Sequence, residues 1–319
     1  MAIAVRPPVS LGPTDVRVVP MGVGTWAWGD RRYWGYGERF GPSDVVDAFA
    51  ASLDAGLDFF DTAEVYGHGE SEKILGWMVR KHGSALVVAT KFAPLPDSGG
   101  APGVGPALER SLKRLGLPRV DLYQVHWCDT AVASVEDVMN AMAETVHAGL
   151  ARTIGVSNFS ADETVEAHTV LARHGIPLAS NQVRYSLMHR APETNGVLET
   201  CRALGATLLA YSPLEQGILA GKYSDRGPSA ERRAKHPRFS KENLDAARPV
   251  LGQLREIGDA HGDRPVEHVA LAWLLAQPGV VPLAGATTGA QAASNAAALT
   301  LQLEPEALSA LDRATARWK

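Results

Sequence analysis

The chain has 319 residues, 45% of them apolar and 21% charged, with 31 basic against 35 acidic side chains and a formal net charge of -4. That is enough chain for one large α/β domain or two ordinary ones, and the slight acidic excess gives no electrostatic case for nucleic acid or an anionic membrane surface. The two cysteines, Cys128 and Cys201, are too few for a disulfide framework and read as free thiols of a reducing compartment.

The opening "MAIAVRPPVSLG" lacks the long apolar stretch of a signal peptide. Nowhere do about 18 apolar residues run together as a membrane span requires, so a cytoplasmic protein is expected. The first strand is predicted at "VPMGVGTW" (19–26). A helix follows in "SDVVDAFAASLDAG" (43–56), where Val45, Val46, Phe49 and Leu53 form one stripe, Ser43 is the expected N-cap and Gly56 stands just past the end. Further strands are predicted at "LDFFDT" (57–62), "ALVVATK" (85–91) and "VDLYQVHW" (120–127). "SVEDVMNAMAETVHAG" (134–149) repeats the helix design with Ser134 and Gly149. "ARTIGVSN" (151–158), "LASNQVRY" (178–185), "ATLLAYS" (206–212) and "VVPLAGA" (280–286) complete eight strand-like runs. Helix follows strand throughout, which argues for parallel strands with right-handed crossovers. Eight such units without a linker predict a single-domain α/β fold over 1–319, a (β/α)₈ TIM barrel, rather than an open doubly wound sheet. The Pro/Gly/charge-rich stretch 212–240 is then a long functional loop after strand seven. The cations that follow Tyr211, namely Lys222, Arg226, Arg232, Arg233, Lys235, Arg238 and Lys241, read mostly as a solvated face.

Polar residues stand where the apolar runs stop. Asp61, Lys91, His126, Ser157 with Asn158, Gln182, and Tyr211 with Ser212 follow one another at intervals of roughly 30 residues, the length of one strand–helix unit. A barrel would bring them all to the C-terminal rim, where active sites of this fold lie. Lys91 is the expected partner of Asp61 from the adjacent strand, because each charge offsets the cost of burying the other. Tyr66, on a glycine-flanked turn, could reach the same spot, and a nearby ammonium would lower its pKa. His126 adds a group able to orient a carbonyl oxygen. Any one of these is more simply explained as structure, an ion pair or a satisfied core histidine. Four of them on neighbouring strand ends point to general acid–base catalysis.

These segments together resemble the aldo-keto reductase superfamily over nearly the whole chain: "GLDFFDTAEVYGHGESEKILG" (56–76), "VATKF" (88–92), "SLKRLGLPRVDLYQVHW" (111–127), "GLARTIGVSNFS" (149–160), "NQVRYSL" (181–187) and "AYSPLEQGILAGKY" (210–223). The opening "MGVGTWAWGDRRYWGYG" (21–37) is similar to a subset that includes pyridoxal reductases. The family's catalytic tetrad falls on Asp61, Tyr66, Lys91 and His126. The resemblance implies NAD(P)H-dependent reduction of an aldehyde or ketone: hydride from the nicotinamide, a proton from Tyr66 acidified by Lys91, and His126 orienting the substrate and sharing the proton. It places Ser157, Asn158 and Gln182 at the carboxamide and Tyr211 against the nicotinamide ring. Ser157–Asn158 could instead cap the helix near Ser160, and Gln182 and Tyr211 could be plain structure.

"GVGTWAWG" (22–29) lacks the spacing of a Rossmann fingerprint. The phosphate site is expected at "GATTGAQAASN" (285–295), which opens a helix after the last strand. There Gly285, Thr287, Gln291 and Asn295 would meet the adenosine end, while Ser212, Leu214, Gly217 and Lys222 would clamp the cofactor from the loop. NADP-preferring members usually carry Lys or Arg where this chain has Gly285 and Gln291. NADPH remains the expected cofactor, with NADH left open. Trp26, Trp28 and Trp127, with Trp34, are candidates to wall a pocket for a small carbonyl substrate, and core packing accounts equally well for any one of them. No metal is expected, since no H-E-x-x-H occurs and His68, Glu70 and Glu72 sit on a turn. The reading from a different class is a nicotinamide-nucleotide-binding regulatory subunit with little turnover.

Overall fold

A computed structural model describes residues 6–82, 86–223, 227–228 and 231–319, apart from the side chains at 231 and 232. Residues 1–5, Ala85, Arg226 and the side chain of Arg232, all counted in the sequence reading, lie outside the described residues.

The chain opens with a short antiparallel hairpin, β1 (Val9–Ser10) and β2 (Arg17–Val18). Eight strands follow: β3 (Gly22–Gly24), β4 (Phe59–Asp61), β5 (Val87–Phe92), β6 (Val120–Val125), β7 (Ala151–Ser157), β8 (Leu178–Arg184), β9 (Thr207–Tyr211) and β10 (Val280–Gly285). They pair in parallel, each with the next, and β10 closes on β3 with Leu283 opposite Gly22. Each expected run overlaps one of these strands. The closure needs a glycine: a Cβ at Gly22 would lie 2.5 Å from Leu283 Cδ2 and 2.7 Å from Phe59 Cδ1.

The hairpin was not legible in the sequence, because two-residue strands carry no periodicity. Its role is packing. Leu11, Val16 and Val18 join the barrel interior around Phe59, Ala89, Leu122, Leu209 and Val281. The end of the barrel where the strands begin is thereby filled, and only the opposite rim is left for a site.

The helices are α1 (Pro42–Asp54), α2 (Glu70–His82), α3 (Val104–Leu115), α4 (Val135–His147), α5 (Ala161–Arg173), α6 (Val197–Ala203), α7 (Glu231–Ala234), α8 (Lys241–Ala260), α9 (Val266–Leu275), α10 (Gly289–Ala297) and α11 (Pro305–Ala314). Most bury an apolar stripe against the strands in two large clusters. α1 starts two residues earlier than the expected cap implies. Its N-cap is Gly41, not Ser43, because Pro42 suits the first helical position and the Asp44 carboxylate accepts from the Gly41 N–H at 2.7 Å. Gly56, at φ +83, stands just past the end as expected. Ser134 caps α4 as expected, accepting from the Asp137 N–H at 3.0 Å. No helix among the described residues is long and apolar enough to cross a membrane.

Candidate active site

Side chains alternate along a strand, so the inward face of β6 carries Leu122, Gln124 and, one step beyond the strand, His126. β4 ends in Asp61, and Lys91 lies one residue from the end of β5. Asp61 is 2% exposed and Lys91 is fully buried. The ammonium donates to Asp61 Oδ2 at 2.5 Å, to the Thr62 carbonyl at 2.8 Å and to Tyr66 Oη at 3.3 Å. Asp61 Oδ1 accepts from Gln124 Nε2 at 3.0 Å and from Gln182 Nε2 at 2.9 Å. Every charge in this buried group therefore has several partners, which is the condition for holding ions out of water. Gln124 was missed in the sequence. Its signal was available: an amide at an inward position, two residues before His126.

Tyr66 reaches Lys91 because the chain turns sharply after it. Gly67 and His68 both have φ +56, and a Cβ at Gly67 would meet the Gly29 carbonyl at 2.8 Å. The glycines of "YGHGE" are thus needed to bring the phenol back over the strand end.

The electrostatics correct the expected acidification of Tyr66 and give the charge state of His126. Burial opposes the charge on Lys91, but Asp61 and then Tyr66 outweigh it and hold the ammonium above its ordinary pKa. Burial also raises the Tyr66 phenol, and the opposing pull of Lys91 does not overcome it, so Tyr66 is not acidified below its ordinary value. It stays protonated, the state a proton donor needs. Burial, then the Lys91 charge, hold His126 down at about 3. A neutral imidazole offers a hydrogen-bonding group rather than an imidazolium. Its Nδ1 is buried without a protein partner, and its ring meets the Tyr66 ring edge-on at 5.6 Å.

The sign of that shift gives a pH prediction. With a folded pKa of about 3, His126 binds its proton only well below the ordinary histidine range of about 6.5. The profile of kcat/KM for the free enzyme should therefore show no ionisation of His126 between about pH 5 and 8. A step near 6.5 that disappeared in His126→Asn would overturn this assignment.

A cavity of about 870 Å³ opens above the group. Asp61, Tyr66 and His126 line it, as do all twelve residues expected at a cofactor: Ser157, Asn158, Gln182, Tyr211, Ser212, Leu214, Gly217, Lys222, Gly285, Thr287, Gln291 and Asn295. Ser157 Oγ donates to the Gln182 carbonyl at 2.8 Å, Asn158 Nδ2 to the His126 carbonyl at 2.9 Å, and Tyr211 Oη to Asn158 Oδ1 at 3.0 Å. Ser160, not Ser157 or Asn158, caps α5. The amide hydrogens of Gln182 go to Asp61 and, at 3.1 Å, to Gln124 Oε1. Gln182 thus positions the buried carboxylate rather than offering its donors to the cavity.

At the far end, Thr288 caps α10, and the Thr287 N–H and Oγ1 both donate to Gln291 Oε1, at 3.0 and 3.1 Å. Asn295 Nδ2 donates to the Gly285 carbonyl at 3.2 Å. The sequence reading missed Glu267, at the start of α9. It lines the same end of the cavity and accepts from Ser294 Oγ at 2.9 Å.

Trp26 and Trp127 line the cavity, and Trp34 joins them. Trp28 does not. It is fully buried, its Nε1 donates to the Ala286 carbonyl at 2.8 Å, and it packs against Phe60. It is core, a common fate for tryptophan.

The loop after β9 is also less solvated than expected. Arg233 is 4% exposed, lies 4.4 Å from the Trp34 ring centre and donates to the Gln216 carbonyl at 3.1 Å. Arg238 and Arg184 pair with the buried Glu215. These cations pin the loop to the rim. Ser212, Glu215 and Gln216, all at positive φ, mark where the loop is bent over the cavity.

Comparison with known proteins agrees with this geometry. Residues 20–316 match the Aldo/keto reductase family. An uncharacterized oxidoreductase of Mycobacterium tuberculosis is 37% identical over 297 residues, 92% of this chain and 88% of the relative. The chloroplastic pyridoxal reductase of Arabidopsis thaliana is 33% identical over 308 residues, 92% of this chain and 82% of the relative. Among solved structures, the glycerol dehydrogenase of Gluconobacter oxydans is similar with a TM-score of 0.83 at 28% identity, covering 99% of this chain and 96% of that one. The buried carboxylate, ammonium and phenol thus lie at the rim of an oxidoreductase barrel, and the chain belongs to the aldo/keto reductase family.

Proposed function

We propose that this protein reduces an aldehyde or ketone to the alcohol with a reduced nicotinamide dinucleotide. The observation that carries the reading is Lys91 Nζ, 2.5 Å from Asp61 and 3.3 Å from Tyr66 Oη, beneath a cavity that extends to the N-terminus of α10. When bound, the cofactor supplies the hydride. Tyr66 gives its phenolic proton to the carbonyl oxygen as negative charge builds there. Lys91 stabilises the phenolate left behind, and Asp61 keeps the ammonium charged and in place. Neutral His126 orients the carbonyl oxygen. Trp26 and Trp127 wall off water and favour an apolar or aromatic substituent.

The residues of the cavity fit a dinucleotide. Tyr211 lines the same cavity as Tyr66 and His126, the loop carrying Ser212, Leu214, Gly217 and Lys222 borders it, and the capped N-terminus of α10 supplies N–H groups for an anion. NADPH is the proposed form, with Lys222 as the cation for its extra phosphate. Burial lowers the Lys222 pKa, and Glu267 opposes that shift. Glu267 supports a second reading, NADH, because a carboxylate accepts from ribose hydroxyls and repels a 2′-phosphate. The two separate by kcat/KM for each coenzyme. Lys222→Gln should lower the value for NADPH about tenfold or more and leave NADH nearly unchanged. A wild type that prefers NADH, with Glu267→Gln gaining activity on NADPH, would transfer the assignment to NADH.

The broader test is absorbance loss with aldehydes, ketones, sugars and pyridoxal, the last suggested by the Arabidopsis relative. A bound dinucleotide with no turnover across that panel would sink the catalytic reading. The proposed place of work is the cytoplasm, in keeping with the free thiols of Cys128 and Cys201.

A further inference from the structure

Among the described residues, one group outside the cavity has the donor set of a transition-metal site: Glu144, His147 and His174, whose ligand atoms all lie within 4.8 Å of one another. Glu144 and His147 are three residues apart in the last turn of α4, so they share a face. His174 comes from a different element, as the residue that closes α5.

Two geometric facts set this group apart from an ordinary surface ion pair. His147 Nδ1 and Glu144 Oε1 are 3.6 Å apart, too far for a hydrogen bond. Two ligand atoms on one tetrahedral zinc, each bonded at about 2.0–2.2 Å, stand about 3.4 Å apart. The pair is therefore spaced to share an ion with almost no movement. The His147 and His174 rings approach to 5.8 Å between centres with an interplanar angle of 52°, neither stacked nor edge-on. His174 is also anchored, since its Nε2 lies 2.8 Å from Asn140 Oδ1 one turn back along α4. Such an outer contact fixes the orientation of metal-bound imidazoles.

The surroundings favour a cation. Glu144 and His147 sit at the C-terminal end of α4, where the unpaired carbonyls carry partial negative charge. The neighbouring Arg173 is engaged with Glu136 at 2.6 Å and leaves the Glu144 carboxylate to the imidazoles. The side chains of Glu144 and His147 are 72% and 47% exposed, so an ion can enter directly. Two imidazoles and one carboxylate suit zinc and its neighbours rather than magnesium or calcium.

We propose that Glu144, His147 and His174 bind one zinc-class divalent ion, with water completing its coordination, and that the ion staples the ends of α4 and α5 in the outer ring. The sequence reading had no access to this site, because His174 is 27 residues from His147 and no spacing motif joins them.

The test uses the full chain, stripped with chelator, and zinc chloride as probe. Competition with a chromophoric chelator should show one zinc per chain. At about 100 µM free zinc, a site with Kd of about 10 µM would be about nine-tenths filled and should raise Tm, whereas magnesium at the same concentration should not. His147→Ala and His174→Ala should each weaken zinc binding about tenfold or more and abolish the rise. Both positions lie outside the cavity lining, so the variants should keep the carbonyl reductase activity of the wild type; the metal-free Tm of His147→Ala should match that of the wild type, and His174→Ala, which also loses its contact with Asn140, is compared with itself with and without zinc. Absence of one-to-one binding, or undiminished binding in both variants, would overturn the proposal.

Discussion

Tyr66→Phe is expected to lower kcat by about 10²–10⁴-fold, the usual worth of a positioned general acid, with coenzyme affinity unchanged. The reason is local. Tyr66 Oη makes one side-chain hydrogen bond, to Lys91, and Lys91 keeps Asp61 and the Thr62 carbonyl when the hydroxyl is gone. A phenyl ring retains the contacts with His126 at 5.6 Å and Trp26 at 6.3 Å. Folding and cavity shape should therefore survive, and only the transferable proton is lost. Because that proton moves only in the transition state, kcat and kcat/KM should fall together. Stopped-flow reduction of the best substrate in the panel, with coenzyme binding followed by fluorescence, measures both. Activity within about threefold of wild type, well short of that range, would remove Tyr66 as the acid.

The barrel was legible because its signals are local. Most strands are apolar runs set between helical patterns, and even the rim positions follow from where a run stops. Asp61, Lys91 and His126 were visible for that reason. What the sequence hides is how the buried charges are divided among neighbours. Gln124 and Gln182 donate to Asp61 from two different strands, β6 and β8, and only closure of the ring brings them together. The direction of the Tyr66 shift was misread for the same reason. Pairwise reasoning sees the Lys91 charge but not the burial that outweighs it. Trp26 and Trp28 stand two residues apart and look alike in the sequence, but the turn after β3 sends one indole to the cavity and the other to the Ala286 carbonyl. Arg233 and Arg238 look like surface charge until the aromatic ring of Trp34 and the buried Glu215 are placed beside them.

Lys91→Met should separate what the ion pair does for the fold from what it does for chemistry. With no exposure at Lys91 and 2% at Asp61, removing the ammonium leaves a buried carboxylate whose charge is no longer compensated. Breaking such a pair costs about 3–5 kcal/mol, a large share of the roughly 5–15 kcal/mol that holds a typical protein folded. The denaturation midpoint should fall accordingly. Adding Asp61→Asn in the same chain removes the stranded charge while leaving a side-chain oxygen for Gln124 and Gln182. The double variant should recover most of the lost stability, giving a coupling of several kcal/mol in the double-mutant cycle. It should recover none of the activity, because Tyr66 has lost the neighbour that stabilises its phenolate. A stable double variant that still reduces carbonyls would make the pair purely structural and would leave Tyr66 without a partner. An unstable double variant would instead mean that Lys91 holds the rim through the Thr62 carbonyl as much as through Asp61.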